Sequence, residues 1–278
     1  MELLICDDGS TDETVKYFRE QTFDFSISLQ SLQKKSGPAR ARNIGLNQAR
    51  GEIILFLDSD CEVRPDLLEK HMACYADEKI IAVRGESLTP PGIKTSKWLR
   101  YLDSNLRGPR QAYATQGTTA ISFDKVNTNN FSIRSSVLEP GLKFDENIVF
   151  YGGEDMVFAY QLSKLNPGSI VYQPEAETYH QQNSLKNVLR KLEEYGEKTI
   201  PYLLKTYPEI YPQLVISRFF QEDGKHEKRV WSKVIFNPFA YKLLFTIKGW
   251  MPDTVSFRIY QYLMAWHVLK GYRNSMET

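Results

Sequence analysis

Cysteine is scarce in this chain: Cys6, Cys61 and Cys74 are the only three in 278 residues, and none forms a C-x-x-C pair. That count cannot build a disulfide framework and fits a reducing compartment. Long apolar runs are also missing. The best stretch, 259–269, falls short of the roughly 18 residues a spanning helix needs and contains Gln261 and His267. The opening MELLICDDGS has no basic region and no apolar run of useful length, so no secretory signal is expected there. Internal repeats and low-complexity tracts are absent. With 42% hydrophobic and 25% charged residues the composition is that of a folded globular protein, not of a disordered chain. A formal net charge of +1 hides an asymmetry: residues 1–185 carry 20 Lys and Arg against 25 Asp and Glu, whereas residues 186–278 carry 15 against 9. A basic, aromatic-rich last third suits an anionic surface or an acidic partner, and suits a solvated helical face equally well.

What is present is an alternation of strand and helix patterns. Glu2 to Cys6 reads as a buried strand running into DDGSTDE, where Ser10 and Glu13 fit a capping box opening a helix to about Gln21. A weak strand lies near Phe25 to Leu29. A helix follows from Pro38, which has no N–H to lose in a first turn, to Ala49, and Gly51 stops it. The next strand, Glu52 to Leu57, precedes a helix from Pro65 to about Tyr75 and a strand from Ile80 to Glu86. The unbroken apolar run 53–57 predicts a strand buried on both faces, and the alternation predicts an α/β fold with a mainly parallel central sheet. Residues 87–130 are less regular, in the manner of a substrate lid. Beyond them, Asn130 to Ser135 reads as ordered, a helix starts at about Glu154, and short strands lie at 169–172 and 177–179. Asn183 or Ser184 caps a helix through Tyr195, and helices broken by prolines fill the rest.

The apolar run 53–57 ends on Asp58-Ser59-Asp60. In an extended chain residues i and i+2 point the same way, so both carboxylates would enter one space at the carboxyl end of a central strand, where open α/β sheets bind ligands. Paired oxygen ligands suit a hard cation such as Mg²⁺ or Mn²⁺ that completes its shell with phosphate oxygens and water. The same triplet is also ordinary turn chemistry. Asp7-Asp8-Gly9-Ser10 ends the first strand in the same manner, and an Asp there could accept from a nucleobase N–H or cap the helix. Glu154-Asp155 follows Gly152-Gly153 at a helix start. It reads either as a general base on a glycine-hinged loop or as anions favoured by the helix dipole. Arg40, Arg42 and Asn43 stand near a helix start, where guanidinium and N–H groups favour phosphate. His180 ends a strand and is a candidate ligand or phosphate donor.

Taken in order, the strings DDGSTD (7–12), GPARARNIGL (37–46), GEIILFLDSD (51–60), NNFSIRSSVL (129–138), FDENIVFYGGED (144–155) and TYH (178–180) resemble family 2 glycosyltransferases of the GT-A fold, over about residues 2–195. The resemblance implies a GT-A-like three-layer α/β/α sandwich over 1–198, with a helical, basic and aromatic region over 199–278. It implies a metal-dependent, inverting transfer of a sugar from a nucleotide-diphosphate sugar to a hydroxyl or lipid-linked acceptor, in cell-surface polysaccharide or glycolipid synthesis. Asp8 would contact the nucleobase, Arg42 would line the nucleotide, and Asp58 would face ribose or sugar. Asp60, with His180, would hold Mn²⁺ or Mg²⁺. Asp155, beside Glu154, would be the general base.

Two departures keep alternatives open. The family's usual first strand–helix unit, with its P-x-Y-N-like string, is not found before the D-D-G-S strand. Gln161-Leu162 also stands where members often carry Arg-Leu. A non-catalytic binding module with a truncated donor site therefore remains a reading, as does a sugar nucleotidyltransferase, although no glycine-rich basic loop for a triphosphate is found. No nucleic-acid partner is expected. In the last third, residues 231–273 mix Trp and Phe with Lys, which suits peripheral contact with the inner face of the cell membrane from the cytoplasm, or a helix packed over the catalytic domain.

Overall fold

Parallel strands need a crossover between them, and the first forty residues supply one. In a computed structural model of the protein, which describes residues 1–93, 96–104, 118–138, 141–221, 226 and 236–277, strand β1 (Glu2–Asp7) pairs in parallel with β2 (Ser26–Ser31). Helix α1 (Thr14–Glu20) connects them. The expected capping box does not form at its start, because Ser10 donates its N–H to the Asp7 carboxylate and Asp12 accepts from the Thr14 N–H instead. Helix α2 (Pro38–Gln48) leads to β3 (Ile53–Leu57), β4 (Cys61–Val63), α3 (Leu67–Cys74), β5 (Ala82–Leu88) and α4 (Lys97–Leu102). Then come β6 (Thr119–Ala120), β7 (Asn130–Arg134), α5 (Glu154–Leu165) and β8 (Ile170–His180). The chain ends with α6 (Leu185–Glu194), a π-helical turn (Tyr195–Thr199), α7 (Ile200–Thr206), α8 (Pro238–Ile247) and α9 (Asp253–Glu277).

The chain divides into two compact units. The first comprises Met1–Ser87, Gln116–Val149 and Glu154–Thr178. Its six-stranded sheet has the order β3-β7-β5-β8-β4, with β6 beside β8, while β1 and β2 form a sheet of their own. Strand β7 is antiparallel to both β3 and β5, so the sheet is mixed where a mainly parallel one was expected. The reason is legible in β7 itself. It is buried on both faces, as a central parallel strand would be, and burial says nothing about chain direction. Strand β3 corrects the opposite expectation. It stands at one end of the sheet order, only Phe56 is fully buried, and Leu57 is 39% exposed. Similarly, the two short strands expected between 169 and 179 are one continuous β8.

Four phenylalanines knit the core beside β3. Phe144 and Phe158 stack with centroids 4.0 Å apart, and Phe56 meets Phe131, Phe144 and Phe158 at 6.4, 5.5 and 6.2 Å. Each such ring contributes about 1.5–3 kcal/mol through burial, and together they hold α5 against β3 and β7. On the far side of β7 a polar chain is buried. The Asn130 amide nitrogen donates to the Glu86 and Ala176 carbonyls, so its oxygen faces His71 Nε2 at 2.8 Å. His71 Nε2 therefore carries the proton, Nδ1 accepts from Ser132 Oγ, and Ser132 accepts from Tyr75. Gly85 lies under this amide, where an added Cβ would run into Asn130 and the Ala176 carbonyl.

The second unit comprises Leu88–Thr115, Phe150–Gly153 and Tyr179–Thr278. The described part of its core joins Trp98, Tyr101 and Leu102 of α4 to Leu189 of α6 and to Ile259, Tyr260 and Leu263 of α9. Ser184 caps α6 through the Asn187 N–H, as its position predicts. At the crossing of α9 with α6 and the π turn, backbones touch: a Cβ on Gly196 would meet the Val268 carbonyl, and one on Gly271 the Glu193 carbonyl. The lid expected over 87–130 falls partly on 94–95 and 105–117, which lie outside the described residues. Its described part includes α4 and the start of β7.

Candidate active site

Arg42 is the hub of the candidate site. It stands on the second turn of α2, 16% exposed, and its guanidinium reaches three carboxylates. Nη1 donates to Glu154 Oε1 and to Asp155 Oδ1, both at 3.1 Å, and Nη2 donates to Asp58 Oδ1 at 3.3 Å. The phenylalanine core explains why residues so far apart in sequence meet. Phe56 and Phe158 fix the end of β3 and the first turns of α5, and the Arg42 guanidinium also lies 5.6 Å from the Phe144 ring. Asn43, the next residue on α2, exchanges hydrogen bonds with the Phe144 backbone at 2.8 and 2.9 Å and pins the loop that leads to α5.

Three negative charges around one cation leave the cluster short of positive charge. Burial, then the neighbouring Asp155, pushes the Glu154 carboxyl up to about 7. Burial raises Asp58 as well, against the opposing pull of Arg42. Arg42 itself is desolvated, which opposes its charge, but Asp155, Glu154 and Asp58 together hold it firmly cationic. The second Glu154 oxygen, Oε2, is buried with no hydrogen-bond partner among the described residues, as are Asn127 Oδ1 and Asn129 Oδ1. Asp155 is better supplied: Thr128 donates its hydroxyl to Oδ1 at 2.7 Å and its N–H to Oδ2 at 3.1 Å. Glu154 and Asp155 open α5, where an anion is favoured by the helix dipole. Both preceding glycines turn the chain into α5 with positive φ, 75° at Gly152 and 99° at Gly153.

The remaining expected residues are placed differently. Asp58-Ser59-Asp60 is a turn and not an extended segment, closed by the Cys61 N–H on the Asp58 carbonyl at 3.1 Å. The same-side geometry expected of an i, i+2 pair therefore does not apply. Asp58 faces Arg42, while Asp60 lies exposed at the entry to β4. His180 is the last residue of β8, the strand next to β4 in the sheet. Asp8 is engaged with the backbone, accepting from Ser36 N–H at 2.7 Å and Gly37 N–H at 2.9 Å, which fixes the loop that opens α2. The buried Asp7 beside it accepts from Ser10 N–H and Ser31 Oγ. Thr128 is a site residue that sequence reasoning missed, since it carries no signal beyond its place in the polar stretch before β7. Asn43, expected to favour phosphate, holds the Phe144 backbone instead. Gln161, in the position where Arg is common in the resembling family, has its Oε1 buried without a partner among the described residues.

A mixed sheet flanked by helices, with an acid cluster where β3 ends and α5 begins, is the GT-A fold of glycosyltransferases. Residues 1–135 match the family model of glycosyl transferase family 2. The chain is 37% identical over 86 residues to an uncharacterized glycosyltransferase of Haemophilus influenzae, a match covering 31% of this chain and 34% of that protein. It is 26% identical over 200 residues to the Escherichia coli UDP-Glc:α-D-GlcNAc-diphosphoundecaprenol β-1,3-glucosyltransferase WfaP, covering 68% of this chain and 75% of WfaP. Against the first three curated relatives the match spans only 13–34% of their length. Among solved structures, residues 1–349 of TarS from S. aureus superpose with a TM-score of 0.51 at 17% identity, covering 99% of this chain and 81% of that one.

Proposed function

We propose that the protein is a metal-dependent, inverting glycosyltransferase that moves a sugar from a nucleoside-diphosphate sugar to a hydroxyl of a lipid-linked or polysaccharide acceptor. The reading places it at the cytoplasmic face of the cell membrane, in cell-surface polysaccharide or glycolipid assembly. The convergence of Asp58, Glu154 and Asp155 on Arg42 carries the proposal, because a base, a sugar-facing carboxylate and a cation are what such a transfer has to bring together. The printed name of WfaP, with a UDP-sugar donor and a diphosphoundecaprenol-linked acceptor, supports the substrate classes.

In this reading Asp155 accepts the proton of the attacking hydroxyl. Thr128 and Arg42 hold its carboxylate still, and each oxygen has lone pairs beyond those bonds. Asp58, held by Arg42, faces the ribose or sugar. Asp8 serves the nucleotide by fixing the Ser36–Gly37 loop. The donor set fits a divalent cation. With Asp58 engaged by Arg42, Asp60 is an exposed carboxylate on a tight turn, and Mg²⁺ or Mn²⁺ commonly takes one or two carboxylates and fills its shell with diphosphate and water. His180, ending the strand next to β4, is the second ligand proposed. A bound cation would neutralise charge that grows on the departing nucleoside diphosphate.

Incubation with UDP-, GDP- and dTDP-sugars in Mn²⁺ tests the proposal through its product. Free nucleoside diphosphate marks a glycosyltransferase, whereas pyrophosphate would mark a nucleotidyltransferase and overturn the reading. Asp60→Ala is expected to abolish metal-dependent nucleotide binding. Asp155→Asn is expected to keep donor binding and stop transfer, and unchanged turnover in that variant would remove Asp155 from the reaction.

A further inference from the structure

Helix α8 is apolar on two sides. Its inner side sets Tyr241, Leu244 and Ile247, followed by Met251, against the aromatic core of the second unit. Its outer side carries Phe239, 78% exposed, and Leu243, 51% exposed, and Trp250, 87% exposed, stands in the turn that follows the helix. Four residues apart, Phe239 and Leu243 share one face of the helix. The exposed Lys242 lies on the same face. Single exposed apolar residues are ordinary, but two on one helix face followed closely by an almost fully exposed Trp call for an occupant.

The charge around the patch selects the occupant. The described stretch 236–252 contains Lys242 and Lys248 and no Asp or Glu. The next acid, Asp253, is spent on Arg100, whose Nε and Nη2 lie 2.8 and 2.9 Å from its two oxygens. At the flank, the Lys248 ammonium rides 3.5 Å above the centre of the Phe245 ring. Such a face offers no anion to a basic partner. Exposed Phe, Leu and Trp with lysines beside them match a bilayer interface, with rings at the acyl boundary and ammonium groups among anionic headgroups. Among the described residues no helix is long and apolar enough to cross a membrane, so the contact lies along the surface.

We propose that the outer face of α8, with Phe239, Lys242 and Leu243, together with Trp250 in the turn after it, docks the second unit on an anionic phospholipid surface. The proposal narrows the membrane placement made above to one helix face and rests on that reading, but the docking is separable from the chemistry. The test is flotation of the full chain with vesicles of phosphatidylcholine alone or mixed with phosphatidylglycerol. The wild type is expected to float with the mixed vesicles, to float less as salt rises, and to stay in solution with phosphatidylcholine alone. The triple variant Phe239→Ser, Leu243→Ser, Trp250→Ser alters only exposed positions, and its mixed-vesicle binding is expected to fall at least roughly tenfold. Lys242→Glu, which keeps every apolar group, is expected to weaken binding as well. Equal binding by wild type and triple variant would overturn the assignment of this face. So would a wild type that binds neither vesicle, or one that self-associates through this face without binding lipid. Transfer of the sugar from a UDP-sugar to a water-soluble acceptor, measured as UDP released in the same preparations, separates failure of the docking from failure of the transferase reading.

Discussion

Arg42 shows how much of the site was legible at the scale of single residues. Its expected company was a nucleotide, and its observed company is Asp58, Glu154 and Asp155, each of which the sequence had singled out separately. The order of acidic strings at strand and helix ends marked the right positions. The pairing was invisible because it spans 112 residues and depends on four phenylalanines that look like any other core residues. The pairing also sets a pH dependence. The Glu154 carboxyl is raised by burial and by Asp155 to about 7, well above its value of about 4.5 in an unfolded chain. A proton is then bound more tightly by the folded state, so this residue stabilises the fold fully below about pH 4.5 and loses that contribution as pH rises through about 7. In the variant Glu154→Gln the decline should disappear. Urea unfolding of both proteins at acid and mildly alkaline pH reads this directly, the variant gaining on the wild type as pH rises.

Elements were easier to find than to orient. Most strands and helices fall within two or three residues of their predicted spans because apolar period, proline and glycine mark them. What failed was direction and company. The run Ile53–Leu57 reads as central because it is unbroken, yet it lies at the end of the sheet order with only Phe56 fully buried. Asn130 to Ser135 reads only as ordered, within a sheet expected to be mainly parallel, yet β7 runs against both neighbours. The α6–α9 crossing was equally hidden, since Gly196 and Gly271 carry no turn signal and matter only because two backbones meet there. Gly271→Ala would press a methyl into the Glu193 carbonyl and should destabilise the second unit by about 1–3 kcal/mol. Thermal unfolding followed by near-ultraviolet circular dichroism, which reports the packing of Trp98 and Tyr101, checks it, and an unchanged midpoint would contradict the close approach.

At the scale of the whole molecule, the sequence suggested one body followed by a helical tail, whereas the structure threads two units by leaving and re-entering the first. The described part of 88–115, irregular by composition, supplies α4 to the core of the second unit, and Phe150–Gly153 belongs there as well. No local pattern reports such excursions, because periodicity describes an element's faces and not the element it will meet. One further trait of the molecule follows from the buried chain behind β7. Donors there point one way, from Tyr75 through Ser132 to His71 and on to Asn130, with every position taken. A second proton on His71 would turn the Ser132 hydrogen away from Nδ1 and force the chain of donors to reverse. Burial accordingly depresses the affinity of His71 for that proton below its ordinary value near 6.5. The stability it contributes is present above about pH 6.5 and drains away on acidification below that. Mild acid should thus loosen the first unit through a residue buried behind β7, an effect that His71→Gln would blunt in acid titrations followed by tryptophan-independent far-ultraviolet dichroism.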